Sequence, residues 1–377
     1  MTQPAAESSA PPSTTPGRVE GPYAWQPDDY RATETFAHTL NTAQIEDLMQ
    51  ALRSAQEQRL TPGQMRRDQF LVPGLQPLFR NLASALQAGR GFMLLRGLPL
   101  DTLSDNDCKL LFWGIGLQLG MPVNQSRKLE LLAEVRDVGE KVGDPTARAF
   151  RSPGALRFHT DQCDVLALMC VRGALEGGHS KIVSSATVHN ALLDEAPELL
   201  AALYRPFYFS RQGEEVTGEM PYYACPIFGQ YDGRLSSLFS RTFIDNAQKL
   251  AGVPPLDPTQ RQALDALARL ADEHSISVEL RRGDVQFFNN HTIYHARTDY
   301  RDHSEHEKKR TLLRLWLTVP DGAPLPPPMR ALFGDTPHGN PRGGIRHASG
   351  QRFAFDDWQA AGWGDDERAR WRTQSDV

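Results

Sequence analysis

The sequence predicts a mainly β fold, a sandwich or jelly roll carrying added helices. Two observations carry this expectation. Short apolar runs with strand propensity recur at "VLALMCV" (165–171), "KIVSS" (181–185), "ISVEL" (276–280), "DVQFFNN" (284–290), "TIYHA" (292–296) and "TLLRLWLTV" (311–319). Helical stretches are inserted between groups of strands, the pattern of a sandwich or jelly roll with additions. No internal repeat is visible.

Taken in order, residues 1–20 are rich in Pro, Ser, Thr and Ala and read as a disordered leader. They carry no early Lys or Arg and no apolar core, so they are not a secretory signal. Thr42, followed by Ile45, Leu48, Met49 and Leu52, reads as a capped amphipathic helix. "GFMLLRG" from Gly91 reads as a short buried strand. From Ser104, the residues Leu110, Leu111, Trp113 and Ile115 predict a helix that lasts until Gly120. Residues 130–156 mix charge, Gly and Pro and read as loops over a pocket mouth. Strands follow at 164–172 and, after the turn Gly177-Gly178, at 181–185. Residues 187–204 read as helical, with Pro197 opening a second short helix. Asp257-Pro258 opens another helix, with Gln260 in the capping-box position and Leu264, Leu267 and Leu270 beneath. Seven prolines between 320 and 341 predict irregular coil after the last strand.

Bulk properties narrow the function classes. The 377 residues suit one large domain or two ordinary ones. Forty-one basic against 46 acidic side chains give a net charge of −5, which argues against a nucleic-acid partner. The basic triplet Lys308-Lys309-Arg310 is short and follows Glu305 and Glu307. The apolar run 165–171 is too short to span a bilayer. Cys108, Cys163, Cys170 and Cys225 form no C-x-x-C pair, so reduced thiols and a cytoplasmic location are expected.

The chain has no G-x-S-x-G, H-E-x-x-H, Walker loop or G-x-G-x-x-G after a strand. "RFHTDQCD" (157–164) instead places His159 and Asp161 two residues apart, on one face of an extended chain. An imidazole and a carboxylate side by side can be two ligands of a metal, or a turn closed by one hydrogen bond. Downstream, His291 and His295 flank Thr-Ile-Tyr. On a strand they share a face, and spacing does not choose between them. His303 and His306 lie in a charged stretch and read as solvent-exposed. Arg310 and Arg314, four apart in an otherwise apolar run, project inward, where a guanidinium needs an anionic partner. Two histidines, one carboxylate and a buried arginine match a facial triad on Fe(II) with a clamp for an acidic co-substrate.

These blocks, "HTD", "GGHSKIVSS", "GDVQFFNNHTIYHARTDYRD" and "RTLLRLWL", resemble those of the taurine dioxygenase-like (TauD/TfdA) Fe(II)/2-oxoglutarate-dependent oxygenases. The resemblance extends through "GRGFMLLRGLP" (89–99) and "GLQLGMPVNQ" (116–125) to "PRGGI" (341–345). It implies a double-stranded β-helix (jelly-roll) core in a single oxygenase domain over 21–345, with a C-terminal extension at 346–377. It implies iron ligands His159, Asp161 and His295, the last because the family's distal histidine leads an H-x-R-T-like run. Arg310 would pair with the far carboxylate of 2-oxoglutarate, and Ser180 would support it. Arg314 matches a second arginine that faces substrate or the near carboxylate. The segment between His295 and Arg310 is longer than in the shortest members.

The implied reaction consumes O2 and 2-oxoglutarate, releases succinate and CO2, and oxidises a substrate C–H. Members that halogenate lack the carboxylate ligand, so Asp161 argues for hydroxylation, desaturation or ring formation. A small carboxylate-bearing metabolite is the expected substrate, with Arg314, Arg157, Gln125 and Asn290 as candidate contacts and no nucleic-acid or membrane partner. Phe158, Tyr222, Tyr223, Phe287 and Tyr294 could stack a ring or simply fill the core. Self-association is left open. Two rival readings make different predictions. A Zn2+ hydrolase or lyase would turn over without O2 or 2-oxoglutarate, and a non-catalytic binding protein would pair Arg310 internally and ignore iron.

Overall fold

The computed structural model describes residues 16–139 and 152–374. Residues 1–15 of the expected leader and 140–151 of the expected mouth loops lie outside the described residues. Strand β1 (Ala37–Thr39) leads into α1 (Thr42–Glu57). Asn41, not Thr42, caps that helix: its side chain accepts the Gln44 N–H at 2.9 Å, while the Gln44 side chain accepts the Asn41 N–H at 3.0 Å. Helix α2 (Gln76–Gln87) has no counterpart among the expected elements, and no side-chain cap marks its start. Strand β2 (Phe92–Arg96) and α3 (Asp105–Leu117), capped by Ser104, fall where the patterning puts them.

Next come β3 (Met121–Pro122), β4 (Leu132–Val135) and β5 (Leu156–His159). β4 lies inside the region expected to be loops; its one charged residue, Glu134, is tolerated because a buried strand supplies its pairing partner. After β6 (Val165–Arg172), β7 (Glu176–Gly177) and β8 (Ser180–Ser184) come α4 (Ser185–Glu195) and α5 (Pro197–Leu203). Two antiparallel pairs follow, β9 (Pro206–Ser210) with β10 (Tyr222–Pro226) and β11 (Phe228–Tyr231) with β12 (Arg234–Ser237). The second is joined by Asp232-Gly233, both at positive φ, a tight-turn signal present in the sequence.

Helices α6 (Arg241–Ala247) and α7 (Pro258–Glu273) precede β13 (Ile276–Val278), β14 (Val285–Asn289), β15 (Ile293–Arg297), β16 (Tyr300–Arg301) and β17 (Thr311–Thr318). Asp257 and Gln260 form the expected capping box on α7. The proline-rich stretch holds only the short α8 (Arg330–Phe333), and α9 (Asp365–Gln374) ends the described chain. No helix among the described residues is long and apolar enough to cross a membrane.

The strands form a seven-stranded sheet, in the order β1-β2-β14-β6-β17-β3 with β4 also on β17, and a four-stranded sheet, β13-β8-β15-β5. Strand alternation assigns the faces. Leu313, Leu315 and Leu317 of β17, with Val285 and Phe287 of β14, pack outward against α1, α2 and α3. Val183 of β8, with Tyr294 and Ala296 of β15, packs outward against α4, α5 and α7. Phe92, Leu166, Ile182, Phe288, Ile293 and Trp316 meet between the sheets. This is the two-sheet, jelly-roll arrangement, sheathed by helices on both outer faces. Trp358, Trp363 and Trp371 pack into the first of these cores. The four cysteines are buried and unpaired.

Candidate metal centre

The inward faces of the two sheets carry the polar residues. On β15 the inward positions are Ile293, His295 and Arg297; on β17 they include Arg314 and Trp316. His159 ends β5 directly opposite His295 in the ladder. The chain then turns through residues 160–164, and this turn swings Asp161 back beneath both imidazoles. His159, Asp161 and His295 each offer one ligand atom, all within 4.8 Å of one another. His159 Nε2 lies 3.9 Å from Asp161 Oδ1, and His295 Nε2 lies 3.8 Å from Asp161 Oδ2. These separations are too long for hydrogen bonds but within reach of two bonds of about 2 Å meeting at one ion.

The protonation states suit that purpose. Burial, and then the neighbouring His159, push the His295 pKa down to about 3, so its imidazole is neutral. Burial opposes ionisation of Asp161, but Arg314, the two histidines and the Trp316 N–H outweigh it and hold the pKa below the usual carboxylate value. His159 Nδ1–H donates to the Arg157 carbonyl at 2.8 Å, which aims the Nε2 lone pair at the cluster. A neutral His295 imidazole, a His159 ring that turns Nε2 to the cluster and one ionised carboxylate fit a divalent iron, and the alternative of a simple His–Asp hydrogen bond does not occur.

Further groups hold the turn. Trp316 Nε1–H donates to Asp161 Oδ2 at 2.9 Å, and Asn290 Oδ1 accepts the Asp161 N–H at 3.1 Å. Asp164, 1% exposed, accepts from Arg342 Nε at 2.6 Å, His291 Nε2 at 2.8 Å, and the Thr318 hydroxyl and Val319 N–H at 3.1 Å each. The Gly344 N–H donates to Gln162 O at 2.7 Å, so the 342–344 segment straps the turn down. His291 is therefore committed to Asp164. It also lies in the turn between β14 and β15 rather than on a strand, which removes the shared-face expectation.

Arg310 lies at the foot of β17, 4% exposed, with Nη2 donating to Gly178 O at 3.4 Å and Nη1 without a partner. Ser180 sits in the ladder opposite Arg297. Arg314 donates from Nε to Gln125 Oε1 at 2.7 Å and places Nη1 3.8 Å from Asp161. Gln125 and Asn290 spend their amides on protein groups, supporting Arg314 and the turn. Arg157 points outward, its side chain 70% exposed and 3.4 Å from Asp245. The structure does not bring it to the cluster. Phe158, Tyr223, Phe287 and Tyr294 are buried in the hydrophobic cores. His306 is exposed, and His303 is half-buried. Trp316, Asp164, Arg342 and Arg297 have no role in the sequence reading, although "RTLLRLWL", "RFHTDQCD", "PRGGI" and the H-x-R run contain them.

A family model described as "Taurine catabolism dioxygenase TauD, TfdA family" matches residues 57–316. The "FR-33289 synthase" of Streptomyces rubellomurinus is 30% identical over 314 residues, 82% of this chain and 92% of that protein. The "Taurine hydroxylase-like protein SAT17" of Stachybotrys chartarum is 28% identical over 311 residues, 79% of each chain. Two solved structures share the fold, each covering 75% of this chain and 93% of the other. Asparagine oxygenase with Fe(II), 2S,3S-3-hydroxyasparagine and succinate has a TM-score of 0.60 at 16% identity. The non-heme iron oxygenase OrfP with Fe and alpha-ketoglutaric acid has 0.59 at 19%. By the extent of the family match and the identity to its first relative, this chain belongs to the TauD/TfdA family of Fe(II)/2-oxoglutarate-dependent dioxygenases.

Proposed function

We propose that this dioxygenase oxidises an unactivated C–H bond of a small, carboxylate-bearing metabolite by hydroxylation or desaturation. In this reading His159, Asp161 and His295 hold Fe(II), while Arg310 and Ser180 grip the far carboxylate of 2-oxoglutarate. The observation that carries it is the convergence, between two sheets, of the His159–Asp161–His295 cluster and a buried arginine with an unpartnered N–H. Iron bound there would supply the redox chemistry that couples O2 and 2-oxoglutarate to substrate oxidation.

The protein's own groups do the positioning. Trp316 holds the Asp161 carboxylate and Asn290 holds its backbone N–H, so that the carboxylate would meet the metal already aimed. Arg310 pre-sets the direction of the co-substrate chain from the metal, and its guanidinium fork suits a planar carboxylate. Arg314, beside Asp161 and propped by Gln125, is placed to meet a second anionic group, on substrate or co-substrate. In this reading the substrate approaches on the His159 side, a choice supported by a side chain 24% exposed against 9% for His295. Free amino acids are the first substrates to screen, because the asparagine oxygenase and OrfP structures carry hydroxylated asparagine and arginine. Four unpaired thiols suit a reducing compartment such as the cytoplasm.

The test is an anaerobic visible spectrum of metal-free protein given Fe(II) and then 2-oxoglutarate. A charge-transfer band is expected, and it should be absent in His159→Ala and Asp161→Ala. A folded protein that binds iron but forms no band with 2-oxoglutarate would overturn the reading in favour of a hydrolase or a binding protein.

A further inference from the structure

We propose that Arg297 is a second cation of the co-substrate pocket and sets the preference for a keto acid bearing a second carboxylate. This rests on the reading in which Arg310 grips 2-oxoglutarate. The placement comes from strand geometry. His295 and Arg297 are alternate inward residues of β15, so Arg297 stands one pleat, about 6.6 Å, deeper than the candidate ligand. A keto acid chelated at the metal extends its far carboxylate in that direction if Arg310 receives it. Arg297 also pairs in register with Ser180, whose side chain shares the inward face.

The charge balance points the same way. Arg297 is 6% exposed and Arg310 4%, and among the described residues neither pairs with a carboxylate. Their guanidinium carbons lie 4.8 and 5.0 Å from the centre of one ring, Tyr300. Arg297 Nη2 donates to the Ser152 carbonyl at 2.8 Å and to the Gly154 carbonyl, but Nε and Nη1 have no partner, and neither does Arg310 Nη1. Asp302 is the carboxylate nearest in influence to Arg310. It turns one oxygen to the backbone N–H groups of His303 and Arg310, and its other oxygen has no hydrogen bond. Asp137 is taken by Lys309 at 3.5 Å. Two buried cations against one carboxylate leave a net charge of about +1 and three guanidinium nitrogens without a partner. A single incoming carboxylate would neutralise the charge and use the donors.

The competing role is purely structural, with Arg297 merely anchoring residues 152–154 ahead of β5. Dissociation constants separate the two. The Fe(II)-loaded protein would be titrated anaerobically with 2-oxoglutarate and with 2-oxobutyrate, which has the same keto-acid head and no far carboxylate. Wild type, Arg297→Gln, Arg297→Lys and Arg310→Gln would be compared, with Fe(II) affinity reporting that each site is folded. The expected result is a 10-fold or greater drop in the preference for 2-oxoglutarate in Arg297→Gln, with partial recovery in Arg297→Lys. Equal weakening of both keto acids, or no change in their ratio, would overturn the proposal while leaving Arg310→Gln diminished. An unchanged ratio in Arg310→Gln as well would instead overturn the underlying assignment of the pocket.

Discussion

Replacing Arg342 by Met tests whether the strap over the 160–164 turn is held by charge. Arg342 and Asp164 side chains are each 1% exposed and 2.6 Å apart. Without the guanidinium, Asp164 keeps His291, the Thr318 hydroxyl and the Val319 N–H, yet its charge stays buried with little compensation. Breaking one side of such a pair costs about 3–5 kcal/mol. Removing both charges in Arg342→Met/Asp164→Leu should cost about 2 kcal/mol less than the sum of the single variants, because no stranded charge remains. Urea unfolding of the metal-free protein at neutral pH measures all three. A double variant whose loss equals the sum of the singles to within about 0.5 kcal/mol would refute the reasoning, since the two side chains would then act independently. The same Arg342→Met protein should bind Fe(II) about 10–100-fold more weakly, through the loosened turn that carries Asp161.

Trp316→Phe removes the indole N–H from Asp161 but keeps a ring beneath Arg314. Fe(II) affinity measured by competition should fall about 10-fold or more, with a modest loss of thermal stability. Gly178 has φ +71°, and an added Cβ would meet Arg310 Nε at 3.0 Å. Gly178→Ala should therefore cost about 1–2 kcal/mol of stability and raise the KM for 2-oxoglutarate, as steady-state succinate release would reveal. His189 is buried, with Nε2 2.8 Å from the Tyr204 hydroxyl, and burial lowers its pKa from 6.5 to about 4. The unfolded chain takes up that proton first, so its contribution to stability is complete above pH 6.5 and lost by about 3 kcal/mol as pH falls to about 4. A pH series of unfolding free energies that His189→Gln leaves equally steep would contradict this.

The β-rich fold class was readable because strand alternation and turn residues are local. "TLLRLWLT" and "VQFFN" declare two-sided burial by composition alone, and Asp257 with Gln260 announces α7 from a four-residue pattern. Helix α2 carries the same local signal as α1, with Leu78, Phe79, Leu82 and Leu86 at helical spacing behind Pro77, and lacks only a side-chain cap at its start. β4 escaped because a four-residue edge strand inside a stretch of mixed charge looks like a loop until a partner is known.

At the site, sequence alone established that His159 and Asp161 are neighbours and that arginines lie in an apolar run, since two-residue spacing is a property of the backbone. The ladder from β5 to β15 decided that His295 stands opposite His159, and the turn after β14 sent His291 to Asp164 instead. Arg157 illustrates the limit most plainly. It shares a strand with His159, yet its side chain pairs with Asp245 in solvent. Which side chains meet across 130 or more residues depends on sheet register and packing, and no local spacing encodes those.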